Sequence, residues 1–185
     1  MTKAQYSPDQ WTLLLNAPRW VYVALVAAER GSISTRRTEA KALEEFLSGY
    51  KTQSPLVKEI IAGQKEADEK VKGSLKDAEK TLGQVGMLLE RKTDEAEGDA
   101  VRDMLTEAGK AVAEANREAL FGDSESKNEE KVLAQIGAAL KATEADKSRR
   151  HEAAVAAEAK RRAREATQAE AAKKAQAPTG SPSNS

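Results

Sequence analysis

The chain has 185 residues, with 30 Lys and Arg against 30 Asp and Glu and no cysteine. That length suits one domain with residues to spare. The missing thiol excludes disulfides, thiolate metal sites and cysteine nucleophiles together, and the balanced charge lacks the basic excess of a dedicated nucleic-acid binder.

No apolar signal-peptide core follows the polar start Met1-Thr2-Lys3. The longest apolar run, Trp20 to Ala28, is nine residues, far short of the ~20 that span a bilayer. The expectation is a cytoplasmic protein with no membrane span. Ser7-Pro8-Asp9-Gln10 predicts a helix start: Ser7 caps, Pro8 loses nothing at the first helical position, and Gln10 completes a capping box. Pro18 predicts a break or restart soon afterwards. Beyond it, Val21, Val23, Ala24, Leu25, Ala27 and Ala28 leave little polar surface, which predicts a helix in the middle of a bundle, ended by Gly31.

Ser34 then caps a further helix, in which Ala42, Leu43, Phe46, Leu47 and Tyr50 form a one-sided stripe. Ser54-Pro55 repeats the cap-plus-proline start, ahead of Leu56, Val57, Ile60 and Ile61. Val71, Leu75, Ala78, Leu82, Val85 and Leu89 step by four and three along a heptad-like seam. Gly73, Gly83 and Gly86 weaken that seam by about 1 kcal/mol each relative to alanine, so a helix packed in a core is favoured over a free coiled coil. Thr93 or Asp94 begins the next helix, with Asp94, Glu95 and Glu97 at its positive end and Val101, Met104, Leu105, Ala108, Val112 and Ala115 on its core face. Gly122 ends it, and Ser124 to Lys141 makes the last.

No stretch alternates as a strand would. The expected fold is an all-α bundle of about six or seven helices over residues 5–141, formed from two helical-hairpin halves. Residues 142–185 hold nine Lys and Arg against six acids. Residues 142–177 read as an exposed charged helix, with Glu158–Arg162, Glu170–Lys174 and Asp146–Arg150 in the favourable i,i+4 order, and residues 178–185 as a disordered end.

Chemistry-bearing motifs are sparse. The one histidine, His151, lies in the alanine-rich tail, and no nucleophile elbow, phosphate-binding loop or dinucleotide fingerprint is present. The expectation is a protein without enzymatic activity. Arg149-Arg150 and Lys160-Arg161-Arg162-Ala163-Arg164 are interleaved with glutamate and have no aromatic companions, so specific nucleic-acid binding is not expected. Trp11 and Trp20 read as core anchors, with an exposed Trp11 in a partner groove as the alternative.

One pattern occurs twice. Gly31-Ser32-Ile33-Ser34 is followed by Glu39, Ala42, Leu43 and Phe46, and Gly122-Asp123-Ser124 by Glu129, Val132, Leu133 and Ile136. Counted from Ser34 and Ser124, the glutamates fall at the same offset and so do the apolar residues. Asp123 to Glu130 does not follow the calcium-loop pattern, because Lys127 and Asn128 occupy positions that need a ligand and a glycine. A noncontiguous oxygen site between the two turns would draw on Glu29, Glu39, Asp123, Glu129 and Glu130. The plain alternative is that Glu39, Glu129 and Glu130 decorate helix first turns, where carboxylates help whatever else is bound.

Two hairpins of this kind, at Val21 to Leu47 and Val112 to Leu140, resemble the TerB-like fold of bacterial tellurite-resistance proteins. The resemblance implies a helical cytoplasmic protein linked to stress or phage defence, with divalent metal bound by acids at the paired turns: here Glu29, Glu39, Asp123 and Glu129. The turns depart from the family's usual Ala-Asp-Gly, reading Glu29-Arg30-Gly31 and Phe121-Gly122-Asp123, and Arg30 would oppose a cation. Two functions follow as expectations: binding of a protein partner in a stress response, or binding of a divalent metal.

Overall fold

A computed structural model describes residues 3–28, 33–67, 71–120 and 126–141, and beyond them residues 155, 159–162 and 164. The described residues contain six α-helices and no strand: α1 (Pro8–Ala28), α2 (Ile33–Gly49), α3 (Pro55–Ala62), α4 (Leu75–Lys92), α5 (Glu95–Leu120) and α6 (Ser126–Leu140). Short 3₁₀ turns at Lys3–Gln5 and Gly63–Lys65 complete them. The all-α bundle expected from periodicity is what forms.

The N-terminus of α1 is built as its sequence predicts. The Ser7 amide donates to Gln10 Oε1 at 3.0 Å, and the Gln10 amide donates back to Ser7 Oγ at 3.3 Å. The expected break at Pro18 does not occur; α1 runs through it for 21 residues. An interior proline costs a helix about 3 kcal/mol, because it removes one N–H and crowds the turn before it. Burial outweighs that cost, since ten residues of α1, Pro18 among them, are buried. The turn ahead of the proline also gains a donor, as the Gln64 side-chain amide gives a hydrogen bond to the Leu15 carbonyl at 3.0 Å.

Because α1 is continuous, it reaches a length and mean hydropathy (1.2) that would allow a membrane span. Its buried residues lie against the other helices instead, as in the core helix of a bundle. Trp11 is 6 % exposed, which settles it as a core anchor rather than an exposed groove residue.

The starts of α3, α4 and α5 follow side-chain caps, whereas α2 begins at Ile33, so Ser34, expected to cap it, lies within the helix. Ser54 Oγ accepts from the Val57 amide at 3.1 Å, with Pro55 at the first helical position of α3. Asp94 Oδ1 accepts from the Glu97 amide at 2.9 Å and so opens α5. The Glu97 carboxylate, expected to serve its own helix end, reaches α3: Oε2 accepts from Ser54 Oγ at 2.6 Å and from the Leu56 amide at 3.0 Å. The seam expected from Val71 enters a helix only at Leu75, where Ser74 and Asp77 form a reciprocal capping box. Hydrogen bonds from the Ser74 hydroxyl, then its amide, hold the Asp77 carboxyl below its ordinary value. Ala78, Leu82, Val85 and Leu89 are fully buried, so α4 is a core helix.

The two hairpin halves interlock rather than standing side by side. The most extensive packing is α1 on α4 and α2 on α5, followed by α4 on α6 and α1 on α5. Chain contacts divide the protein into two compact units, Met1–Asp146 and Lys147–Ser185. In the second unit residues 155, 159–162 and 164 are helical and exposed. The predicted tail at 178–185 lies outside the described residues, as does His151.

Tyr6 ties the start of the chain to the α4–α5 corner, its hydroxyl 2.8 Å from that of Thr93. Burial pushes its phenol above the ordinary value of 10; the Thr93 hydrogen bond works against this, and the Asp94 and Glu97 carboxylates add to it. The folded state therefore keeps a proton that the unfolded chain loses near pH 10. The associated stability is intact below that pH and falls as pH rises through the folded value. Tyr6→Phe should cost about 1 kcal/mol at neutral pH through the lost hydrogen bond, and should shrink the alkaline loss. Urea melts at neutral pH and above pH 10 check both. An unchanged alkaline slope would show that Tyr6 is not among the groups responsible.

Candidate functional site

The residues expected to form a metal site divide into two groups. Glu29 and Asp123, together with both glycine turns, lie outside the described residues. Glu39 and Glu129 are described, at 2 % and 1 % exposure, while the neighbouring Glu130 is exposed. Decoration of helix first turns accounts for the position of Glu129 but not for that of Glu39. Glu129 is in the first turn of α6, but Glu39 lies beyond the first turn of α2.

Each glutamate occupies a position on its helix's apolar stripe. Glu39 precedes Leu43 and Leu47 by four and eight residues, and Glu129 precedes Val132, Ile136 and Leu140 by three, seven and eleven. Both make polar interactions within the fold. Among the described residues no group of three or more His, Asp or Glu is arranged to hold a metal ion. A metal at these positions would need Glu29 or Asp123 as well.

Glu39 adjoins a second feature, which sequence reasoning did not anticipate. Burial raises the Tyr22 phenol above its ordinary value, and the Glu39 carboxylate beside it raises it further. The Tyr22 hydroxyl donates to the Arg36 carbonyl at 3.0 Å and ties α1 to α2. Tyr22 lines a groove of about 930 Å³ bounded by α1, α2, α3 and the segment after it. Its apolar lining comes from Leu43 and Leu47 of α2, Ile61 and Ala62 of α3, and Val71. The volume falls within the ~300–1,000 Å³ of ordinary ligand pockets.

Local packing holds the groove open. Gly63 ends α3 with φ −78°, so its glycine is not required by backbone conformation. The approach is close: a Cβ there would lie 2.6 Å from Leu15 Cδ2, so that side-chain end would have to shift. Gln64 then fastens the 3₁₀ turn to α1, donating to the Leu15 carbonyl at 3.0 Å and the Ile60 carbonyl at 3.1 Å. Arg19, on the turn after Pro18, donates from Nη2 to the Gln64 carbonyl at 3.3 Å, and its Nε is buried without a hydrogen-bond partner.

A neighbouring hollow of about 560 Å³ shares Ile61 and Ala62 with the groove and adds Tyr50, Lys51, Thr52, Gln53 and Lys58.

No family model matches this chain, and no curated protein or solved structure does either.

The groove escaped sequence reading because its walls come from separate segments between Arg19 and Val71, beyond the reach of any local pattern.

Proposed function

We propose that this chain is a non-enzymatic protein-binding module whose binding site is the groove between α1, α2 and α3. The observation that carries the reading is the apolar lining itself. Leu43 and Leu47, already buried, floor a concavity flanked by the half-buried Ile61 and Val71, and a helix or extended segment laid there would cover the latter two as helix-in-groove complexes do. The resemblance to TerB-like proteins would place such a module in a bacterial stress response, acting in the cytoplasm. Panning a displayed peptide library on the full chain tests it. Peptides are expected to bind the wild type and to be lost with Ala62→Trp, which fills the groove from an exposed position. A library yielding no binder sensitive to that substitution would overturn the reading.

A second reading is favoured by the burial of Glu39 and Glu129 at matching places in the two hairpins. Two such carboxylates, joined by Glu29 and Asp123, would supply hard oxygen ligands for a divalent cation. A ligand that binds only the folded state adds about 2.7 kcal/mol at a hundredfold excess over its Kd. Thermal melts with chelator, then with calcium, magnesium, manganese or zinc, should then shift by several degrees with one metal. Glu39→Gln with Glu129→Gln should abolish the shift. No shift with any of the four metals would leave the buried acids as structural groups.

A further inference from the structure

The cations around the groove say what kind of segment it takes. Arg19 and Lys65 line the groove, and Lys51 and Lys58 line the adjoining hollow. None of the four lies within ion-pair distance of a carboxylate among the described residues, where ion pairs form at Lys3–Glu66, Lys41–Glu45 and Arg102 with Glu90 and Asp99. Among the described residues one acid, Glu44, lines the groove, and none lines the hollow. Asp103 and Glu107 act on the Tyr50 phenol from α5 but line neither space. Among the described residues four cations and one acid line this surface, in a chain with equal numbers of each, and that excess is complementary to negative charge.

Arg19 sharpens this. Its guanidinium carries five N–H donors. One makes the long bond to the Gln64 carbonyl, and the buried Nε–H has no acceptor. Nε is closed off from solvent, so a ligand would meet Arg19 through its terminal nitrogens, and a carboxylate is the acceptor whose geometry fits a guanidinium. The half-buried Ile61 and Val71 and the Arg19 side chain line the same groove, so one ligand could meet both.

Resting on the protein-binding reading above, the geometry points to an acidic amphipathic helix as the partner segment. Its apolar face lies on Tyr22, Ile61 and Val71, one carboxylate meets Arg19, and flanking carboxylates lie towards Lys65, Lys58 and Lys51. The chain's own residues 142–177 are poor occupants on this argument, because they carry more Lys and Arg than acids and Val155 is their one large aliphatic residue.

The test is fluorescence anisotropy on the full chain with labelled helical peptides of about five turns. All have leucine on one face; the other face carries glutamate, glutamine or lysine. The glutamate peptide is expected to bind at least about tenfold more tightly than the glutamine peptide at low salt, and the lysine peptide weakest. The advantage should shrink at high salt, where charges are screened within ~3 Å at 1 M. Arg19→Glu should reverse the ranking. Lys51→Glu, Lys58→Glu and Lys65→Glu together, all at exposed positions, provide the same test should Arg19→Glu impair folding.

Equal binding of all three peptides, weakened together by Ala62→Trp, would overturn the acidic assignment and leave the protein-binding reading standing. Peptide binding that ignores Ala62→Trp would sink both. Tighter groove binding by a peptide of residues 142–177, or concentration-dependent dimerisation lost with Ala62→Trp, would make the occupant this chain itself and overturn the proposal.

Discussion

Arg102→Met is expected to lower stability by about 3 kcal/mol, the lower end of the cost of breaking a buried ion pair from one side. Arg102 lies on α5 with its side chain 16 % exposed, and it joins three helices. Nη2 meets Glu90 of α4 at 3.2 Å, Nη1 meets Asp99 at 2.8 Å, and Nε donates to the Leu140 carbonyl at the end of α6 at 3.0 Å. The contributions are unequal. Asp99 is 59 % exposed, and an ion pair so open to solvent is worth less than about 1 kcal/mol.

The Glu90 side chain is 6 % exposed, so the substitution takes a guanidinium away from a carboxylate shielded from water. The Leu140 carbonyl belongs to the last turn of α6, where free acceptors gather and a cation is favoured by the helix dipole. At roughly 2–4 °C per kcal/mol for a chain of this size, Tm should fall by about 6–12 °C. Adding Glu90→Gln should recover part of the loss, because the charge no longer needs a counterpart. Chemical denaturation of the two single variants and the double variant forms a cycle that measures the coupling. A loss below about 1 kcal/mol, or no recovery in the double variant, would show that Arg102 acts as a surface charge.

Neither the Arg102 cluster nor the groove was legible in the sequence, and the reason is physical. Local patterns carry information about neighbours along the chain. Ser7-Pro8 and Ser54-Pro55 marked helix starts because a cap and its amide lie within three residues. The α4 seam was legible from Leu75 to Leu89 because a helical face repeats within one turn. Pro18 misled because the local cost of a proline is set against burial of the whole helix, a quantity that no window of the sequence contains. Glu97 sits in the first turn of α5 as expected, but that its carboxylate also serves Ser54 and Leu56 of the α3 start is a long-range fact of the same kind.

The glutamates of the repeated pattern lie between these cases. Their matching offsets were visible, and so was a sign of burial, since Glu39 keeps step with Leu43 and Leu47, and Glu129 with Ile136 and Leu140. A carboxylate at the first position of an apolar stripe can be read as the stripe's polar edge or as part of it. At 2 % and 1 % exposure, both are part of it.

The glycines of α4 show how far the same residue type can differ in meaning on one helix. By propensity alone, Gly83 and Gly86 should each gain about 1 kcal/mol on replacement by alanine. At Gly83 nothing lies within 4 Å of an added Cβ, so Gly83→Ala should deliver that gain, raising Tm by a few degrees. At Gly86 the added Cβ would meet the Ala139 and Leu140 carbonyl oxygens at 2.9 Å and the Leu140 carbonyl carbon at 3.1 Å.

Those atoms are α6 backbone, which cannot swing aside as a side-chain end can. The Leu140 carbonyl is also held by Arg102 Nε, so moving it strains the α4–α5–α6 junction. Gly86→Ala should therefore lose about 1–3 kcal/mol net, the range for overfilling a packed interior, despite the better helix former. Thermal melts of the two variants are expected to move in opposite directions. Combining Gly86→Ala with Arg102→Met should cost less than the sum, because once the guanidinium is gone the end of α6 is free to retreat. If both glycine variants gained stability, α4 and α6 would not be in backbone contact at Gly86, and the close approach of the two helices would be wrong.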